Sequence, residues 1–238
     1  MGSDMLSLSA PGTSLGSRAM HDSWLVRFVR STIGMKVLMA VTGVILFGYT
    51  IGHVAGNMLI FAGRERINAY SKFLHESPLL LWGTRALLLV SFAVHIGASI
   101  RLARLKSDAR PVGYAVKRWP GSSYASRTMF WSGPILAFFV IYHILHLTTG
   151  TVHPDFRDDV YHNLVSGFRR WPVSLAYIGA MLSLALHLSH GVWSMLQTVG
   201  INRPAWDRPL RAAAVVFAVL VAGGFIAVPV SVLAGWVR

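Results

Sequence analysis

Histidines inside long apolar stretches are the residues of this sequence best suited to chemistry. Six of the ten histidines of the 238-residue chain are placed this way, namely His53, His95, His143, His146, His187 and His190. An ionisable side chain is costly at membrane depth and usually serves a ligand, an ion or a proton path. One such histidine could simply bond to a neighbouring helix, but four of five apolar stretches carry one at comparable depth. The pattern predicts a ligand-binding role.

The other residue types limit which ligand these imidazoles could hold. The chain has no cysteine, and its carboxylates are confined to the N-terminal tail, the loops and the ends of the apolar stretches. Zinc and non-haem iron sites usually add a carboxylate or a thiolate. A b-type haem in an electron-transfer protein takes one imidazole on each face, so four helices can supply two bis-histidine sites. We therefore expect two b haems, with the iron as the only metal.

The depth of each histidine in its stretch indicates how the ligands pair. His53 and His143 lie toward one side of the membrane, whereas His95, six residues before Arg101, and His187 lie toward the other. The sequence therefore predicts one haem between His53 and His143 and a second between His95 and His187.

Further residues are candidates for supporting these ligands. His146 and His190 each follow a predicted ligand by three residues, a spacing that places both rings on roughly one helix face. Ser91 and Ser183 precede predicted ligands by four residues and could fix the tautomer of each ring. Lys36 and Arg127, at span ends, could meet haem propionates. Plain packing and interfacial anchoring are the alternative explanations for these positions.

Five long helices must position these side chains. The chain is 54% hydrophobic and only 13% charged, which excludes an ordinary soluble domain. Its apolar stretches reach the roughly 20 residues that a helix needs to cross a bilayer. The predicted fold class is all-α integral membrane, a five-transmembrane-helix bundle. The predicted spans are about 36–61, 79–103, 129–150, 173–198 and 211–236.

The distribution of basic residues predicts the orientation of the bundle. Fourteen basic residues flank the spans on the side of the N-terminus, against seven on the other side. By the positive-inside rule the N-terminus is cytoplasmic, and five spans leave the C-terminus outside. Residues 1–23 are then a flexible cytoplasmic tail, 24–34 an interfacial helix, and 24–238 the membrane domain. Because topology explains the net charge of +13, we expect contact with membrane lipid and no nucleic-acid partner.

Several runs of the sequence resemble a known family. TGVILFGYTIGHVAGNMLIF, NAYSKFLH, SRTMFWSGPILAFFVIYHILH, DVYHNLVSGF and LALHLSHGVWSMLQTVG resemble the cytochrome b membrane anchor of succinate dehydrogenase and fumarate reductase, in its single-chain, five-helix, dihaem type. The runs keep the family's order over about residues 25–235. The resemblance implies that His53, His95, His143 and His187 are the haem ligands.

The resemblance also implies a function. Such a subunit does not oxidise succinate itself; it anchors a flavoprotein and an iron–sulfur subunit on the cytoplasmic side of a bacterial cytoplasmic membrane and relays electrons to menaquinone or another quinone. Candidates for the quinone site are His75, Glu76, Arg85 and His162, in or beside the outer loops. Some fumarate reductases of this type carry a glutamate before the fourth ligand, where this chain has Ala185 and Leu186. A transmembrane proton route through that position is therefore not expected.

Three other hypotheses fit the same apolar histidines. One is the dihaem, quinol-oxidising anchor of a nitrate reductase or formate dehydrogenase, which a molybdenum-containing partner would distinguish. Another is a haem-free, histidine-lined metal or proton transporter, and the last is a haem-free structural anchor. Both haem-free hypotheses predict a purified protein without a b-type α band.

Overall fold

The computed structural model describes residues 23–109, 124–201 and 203–238. These residues form α-helices and short 3₁₀ turns, and they contain no β-strand, so the all-α prediction is confirmed. The helices are α1 (Trp24–Arg30), α2 (Thr32–Met58), α3 (Arg64–His75), α4 (Pro78–Asp108), α5 (Tyr124–Leu147), α6 (Val160–Phe168), α7 (Trp171–Thr198) and α8 (Asp207–Leu233). The predicted tail falls almost entirely on residues 1–22, which lie outside the described part of the chain.

Five segments of the described residues are long and apolar enough to cross a membrane. They are Thr32–Ala62, Pro78–Asp108, Arg127–Leu147, Trp171–Thr198 and Pro204–Leu233. The predicted number of spans is confirmed, but the first and fifth begin several residues before their predicted starts and the second ends several residues past its predicted end. Charged residues at an interface do not stop a helix, so Lys106 and Arg208 continue the helical backbone.

The ends of the spans follow from local chemistry. Ser31 separates α1, the helix predicted to be interfacial, from α2: its hydroxyl accepts from the backbone N–H of Gly34 at 3.0 Å and donates to the carbonyl of Phe28 at 2.7 Å. The third span ends at Leu147 rather than at residue 150, because Gly150 adopts a φ of 72°, which an L-residue rarely does.

The five long helices pack mainly in three pairs. α7 packs against α8 and α5, while α2 packs against α4 and, less extensively, against α8 and α7. The pairs α2/α5 and α4/α7 are not among the extensively packed pairs of the described helices. These two looser pairs are the ones that carry the paired histidines described below.

Two short helices cover one end of the bundle. α3 follows the first span and α6 precedes the fourth, and the side chain of Asn68 donates to Asp159 at 2.9 Å while accepting from the backbone N–H of Tyr161 at 3.1 Å. Ile60, Ile67 and Phe168 are buried beneath them in one apolar cluster. We call this end the α3/α6 side and the opposite end the tail side.

Candidate cofactor sites

Four histidines from four different spans form two pairs at two depths. The ring centroids of His53 on α2 and His143 on α5 lie 5.8 Å apart, toward the α3/α6 side. Those of His95 on α4 and His187 on α7 lie 6.4 Å apart, toward the tail side. The structure therefore brings together the same partners that the depth of each residue predicted. Their role as metal ligands stays a prediction.

The spacing within each pair fits an ion held between two imidazoles. A metal bound on opposite sides at about 2 Å from each ring nitrogen keeps the two ring centroids about 6 Å apart. Haem iron needs only these two protein ligands, because the porphyrin supplies the other four. The described residues contain no group of three or more His, Asp or Glu side chains placed to hold a metal ion. Within that part of the chain, the donor set fits haem better than a three-ligand zinc site.

A hydrogen bond to Nδ1 of His95 determines which of its two ring nitrogens is available toward His187. Thr42 Oγ1 lies 3.1 Å from His95 Nδ1 and donates its own proton to the carbonyl of Leu38 at 2.7 Å. A hydroxyl has one proton, so toward His95 it acts as the acceptor. His95 then carries its proton on Nδ1 and leaves Nε2 bare, which is the tautomer that a metal ligand requires.

A second hydroxyl lies near the other ring of this pair. Ser132 on α5 is buried, with 3% of its surface exposed, and its Oγ lies 3.5 Å from His187 Nδ1. The sequence placed the supporting hydroxyls one turn before each ligand instead. Ser91 is buried at that position on α4, and Ser183 donates to the carbonyl of Gly179 at 3.1 Å, within its own helix. The hydroxyls nearest to the two ring nitrogens thus come from neighbouring helices.

The pair on the α3/α6 side is supported by a tyrosine. The hydroxyl of Tyr177 on α7 lies 3.3 Å from His143 Nδ1 and 3.0 Å from His146 Nδ1. The ring of His53 is stacked on Tyr49 with centroids 5.4 Å apart and an angle of 13° between the planes, and Phe225 approaches it to 5.5 Å. Aromatic side chains therefore contact both rings of this pair, whereas the hydroxyls of Thr42 and Ser132 lie at the other.

The two additional histidines of the His–x–x–His motifs each leave one nitrogen without a partner. His146 Nε2 and His190 Nδ1 are buried and make no hydrogen bond to the described residues. His146 is fully buried, with its ring against His153, whereas His190 packs against Trp193. Neither lies between the members of a histidine pair, so both remain candidates for a supporting role.

The basic candidates for propionate contacts lie at the tail side. Lys36 is exposed in the second turn of α2, and Arg127 is exposed near the start of α5, 5.9 Å from the ring of Tyr124. Each precedes, on its own helix, the hydroxyl that supports the tail-side pair. Both positions suit interfacial anchoring as well as contact with a cofactor carboxylate.

The quinone-site candidates fall on the α3/α6 side but make mainly local contacts. His75 Nδ1 lies 2.8 Å from the carbonyl of Ser71, Glu76 pairs with Lys72, and both candidates are exposed. Arg85 on α4 is half-buried and lies 4.8 Å above the ring of Trp82. His75 and Glu76 thus lie together at the end of α3, whereas Arg85 lies on the second span.

The fourth quinone candidate lies in the first turn of α6 and contacts the loop that precedes this helix. His162 Nε2 lies 2.9 Å from Asp155 Oδ2, and Arg157 binds the same carboxylate at 2.8 Å. The hydrogen bond from Arg157 is the main cause that lowers the pKa of Asp155, and the bond to His162 adds to it. His162 therefore contacts the carboxylate of Asp155 on the α3/α6 side.

Sequence reasoning missed Thr42, Ser132, Tyr177 and His153. The first three are polar side chains that lie within spans at the same depth as a histidine pair. This shared depth is the feature of the sequence that could have indicated them. His153 packs on His146 with centroids 4.8 Å apart, and Asp155 donates its backbone N–H to His153 Nδ1. His153 lies in a loop, where no periodicity indicates which way a side chain points.

The fold and the paired imidazoles define a class: a multi-pass helical membrane protein with half-buried histidine pairs at two depths. A family model described as the succinate dehydrogenase/fumarate reductase transmembrane subunit matches residues 106–226. The chain belongs to this family. The match spans His143 and His187 but not His53 and His95. Comparisons with curated proteins and with solved structures return no match.

Proposed function

We propose that this chain relays electrons between an iron–sulfur partner and a membrane quinone, with two b haems bound at the His53/His143 and His95/His187 pairs. The observation that carries the proposal is that both pairs hold their ring centroids at the spacing of a bis-imidazole site, 5.8 and 6.4 Å. When bound, the haem supplies reversible one-electron chemistry. Membership of the succinate dehydrogenase/fumarate reductase family supports the same conclusion.

In this proposal the residues of the chain orient the ligands and keep water from them. Thr42 holds His95 in the tautomer with a bare Nε2, and Ser132 lies at the corresponding nitrogen of His187. Tyr177 takes this role at His143. Aromatic side chains pack against the rings of the His53/His143 pair and limit the access of water to them.

The proposal also assigns the two sides of the membrane. The excess of basic residues beside the tail-side ends of the spans supports a cytoplasmic location for that side. The flavoprotein and iron–sulfur subunits then dock at the tail side, next to the His95/His187 pair. The quinone reacts at the α3/α6 side, near His53 and His143, in a bacterial cytoplasmic membrane. His75, Glu76, Arg85 and His162 remain the candidates for quinone contact and proton delivery.

The test is to purify the complex in detergent and to measure haem per chain for the parent and for His53→Ala and His95→Ala. We expect two haems in the parent, and each variant should lose a different one, seen as loss of a different component in a redox titration. His75→Ala is the matched control, since this exposed histidine belongs to neither pair, and it should keep both haems. A parent without haem, or variants that retain both, would reject the assignment.

The subunits that co-purify test the partners separately. A flavoprotein with an iron–sulfur protein supports the proposal, whereas a molybdenum-containing partner would favour the nitrate reductase or formate dehydrogenase hypothesis. A complex with the expected partners but no α band would favour a haem-free anchor.

A further inference from the structure

Tyr177 is a buried tyrosine that bridges two histidines of the neighbouring helix. Its hydroxyl lies 3.3 Å from His143 Nδ1 and 3.0 Å from His146 Nδ1, and only 6% of the residue is exposed. A phenol has one proton to donate and lone pairs to accept with. It can therefore donate to one of these histidines while accepting from the other.

The ligand role of His143 decides the direction of both hydrogen bonds. A neutral imidazole that offers Nε2 to a metal carries its proton on Nδ1. His143 then donates to the oxygen of Tyr177, and Tyr177 donates its proton to His146 Nδ1. His146 must in turn carry its proton on Nε2, the buried nitrogen that has no hydrogen-bond partner among the described residues.

The ring of His146 is held in place to receive this bond. Tyr142 stacks on it with centroids 5.5 Å apart and an angle of 7° between the planes, and His153 packs on it at 4.8 Å. Gly167 on α6 completes the enclosure, since a Cβ there would lie 2.9 Å from His146 Cε1. A fully buried imidazole with a fixed orientation is a well-ordered acceptor for the Tyr177 hydroxyl.

We propose that Tyr177 and His146 are positioning residues for His143, forming a directed hydrogen-bond chain that strengthens it as an axial ligand and lowers the reduction potential of the haem on the α3/α6 side. A ligand whose Nδ1–H is donated to an oxygen is more electron-rich and favours the oxidised metal. The Tyr177 oxygen is a better acceptor because it gives its own proton to His146. The inference rests on the proposed function, because it requires haem at the His53/His143 pair.

The test is the isosteric variant Tyr177→Phe in the full complex, with the midpoint potential of each haem measured by spectroelectrochemical titration. We expect both haems to be retained. At a fixed applied potential the reduced-to-oxidised ratio of the His53/His143 haem should rise about fivefold, which is ~40 mV for a one-electron couple, as one lost hydrogen bond implies. The potential of the His95/His187 haem should not change.

Tyr142→Phe is the matched control. It removes a hydroxyl from a tyrosine that also touches His146, but this hydroxyl makes no hydrogen bond to either histidine within the described structure. Both potentials should remain at the parent values. A shift as large as that of Tyr177→Phe would mean that packing around His146, rather than the hydrogen-bond chain, sets the potential.

Two substitutions of His146 test the second bond of the chain. His146→Asn keeps an acceptor near the position of Nδ1 and should hold the parent potential, whereas His146→Leu removes the acceptor and should shift it in the same direction as Tyr177→Phe. If the parent binds two haems and neither Tyr177→Phe nor His146→Leu moves a potential, this inference is wrong while the proposed function stands. A parent without haem would instead overturn the proposed function.

Discussion

Thr42 Oγ1 on α2 accepts a hydrogen bond from His95 Nδ1 on α4, at 3.1 Å. The direction of this bond follows from a second one, because the hydroxyl gives its proton to the carbonyl of Leu38 at 2.7 Å. A backbone carbonyl in one span thus determines the tautomer of a histidine in another. The orientation of His95 therefore depends on the packing of α2 against α4, and this relationship can be tested by a single substitution.

Thr42→Val should weaken cofactor binding at the tail-side pair while preserving the shape of the side chain. It removes the hydroxyl that accepts from His95 Nδ1, and loss of such a supporting bond costs about tenfold to a hundredfold in affinity at metal sites. The measurement is the haem retained per chain as the purified complex is diluted in detergent. The haem that is lost should be the same one that His95→Ala removes.

Thr50→Val is the control for this substitution. Thr50 lies on the same helix and makes the same kind of bond, to the carbonyl of Leu46 at 2.8 Å, but within the described structure its hydroxyl makes no hydrogen bond to a histidine. Its haem content should match that of the parent. Equal losses in the two variants would show that threonine-to-valine substitution in α2 disturbs the helix generally, and the role assigned to Thr42 would be abandoned.

Gly167→Ala should destabilise the α3/α6 side. The added Cβ would lie 2.9 Å from His146 Cε1 and 3.0 Å from His153 Nε2, and the ring of His146 is fully buried. Overpacking of this kind costs about 1–3 kcal/mol. We expect a lower Tm of the purified complex. Gly179→Ala, where a Cβ meets nothing within 4 Å, is the matched helical control and should keep or raise the Tm.

Much of the architecture could be predicted because it depends on composition along the chain. The five spans follow from apolar length alone, and the depth of His53, His95, His143 and His187 follows from counting residues to the nearest charged end. Depth is a one-dimensional quantity that the sequence contains directly. The helix ends were predicted less accurately, because charged residues such as Lys106 and Arg208 continue a helix into the interface.

The supporting residues could not be predicted in the same way, because they depend on how each helix is rotated about its axis. Ser91 and Ser183 follow a rule for neighbours within one helix, whereas Thr42, Ser132 and Tyr177 reach their histidines from another helix. That rotation is set by the packing of all five spans together. Sequence periodicity indicates it poorly in a helix that is apolar all round.

The attachment of α6 should weaken as the pH falls. Burial alone would raise the pKa of Asp159, but the backbone N–H of His162, the amide of Asn68 and the nearby Arg64 together hold it below its ordinary value. A carboxyl group with a lowered folded-state pKa stabilises the fold above its unfolded pKa, about 4, and this stabilisation is lost as pH falls through the folded value. Hydrogen exchange in residues 160–168 at pH 3–6 measures the effect.

Asp159→Asn should flatten that pH dependence. The amide oxygen can still accept from the backbone N–H of His162 and cap α6, but the group no longer titrates. Asp158→Asn is the control: this neighbouring carboxylate is exposed, and the pH profile should follow the parent. An unchanged profile in Asp159→Asn would show that another group governs the detachment of α6.

Arg211→Lys should loosen the contact between α7 and α8 at the tail side. The guanidinium carbon of Arg211 lies 3.6 Å from the centroid of the Trp193 ring, its Nε donates to Asp207 at 2.9 Å, and Trp193 Nε1 donates to the same carboxylate at 3.0 Å. Lysine keeps the charge but loses the planar stacking and the fixed geometry of the donors. Since such a cation–π contact is worth about 0.5–2 kcal/mol, we expect Arg211→Lys to lower the Tm of the purified complex. Arg208→Lys is the control: Arg208 is exposed in the same helical turn, and its substitution should leave the Tm unchanged.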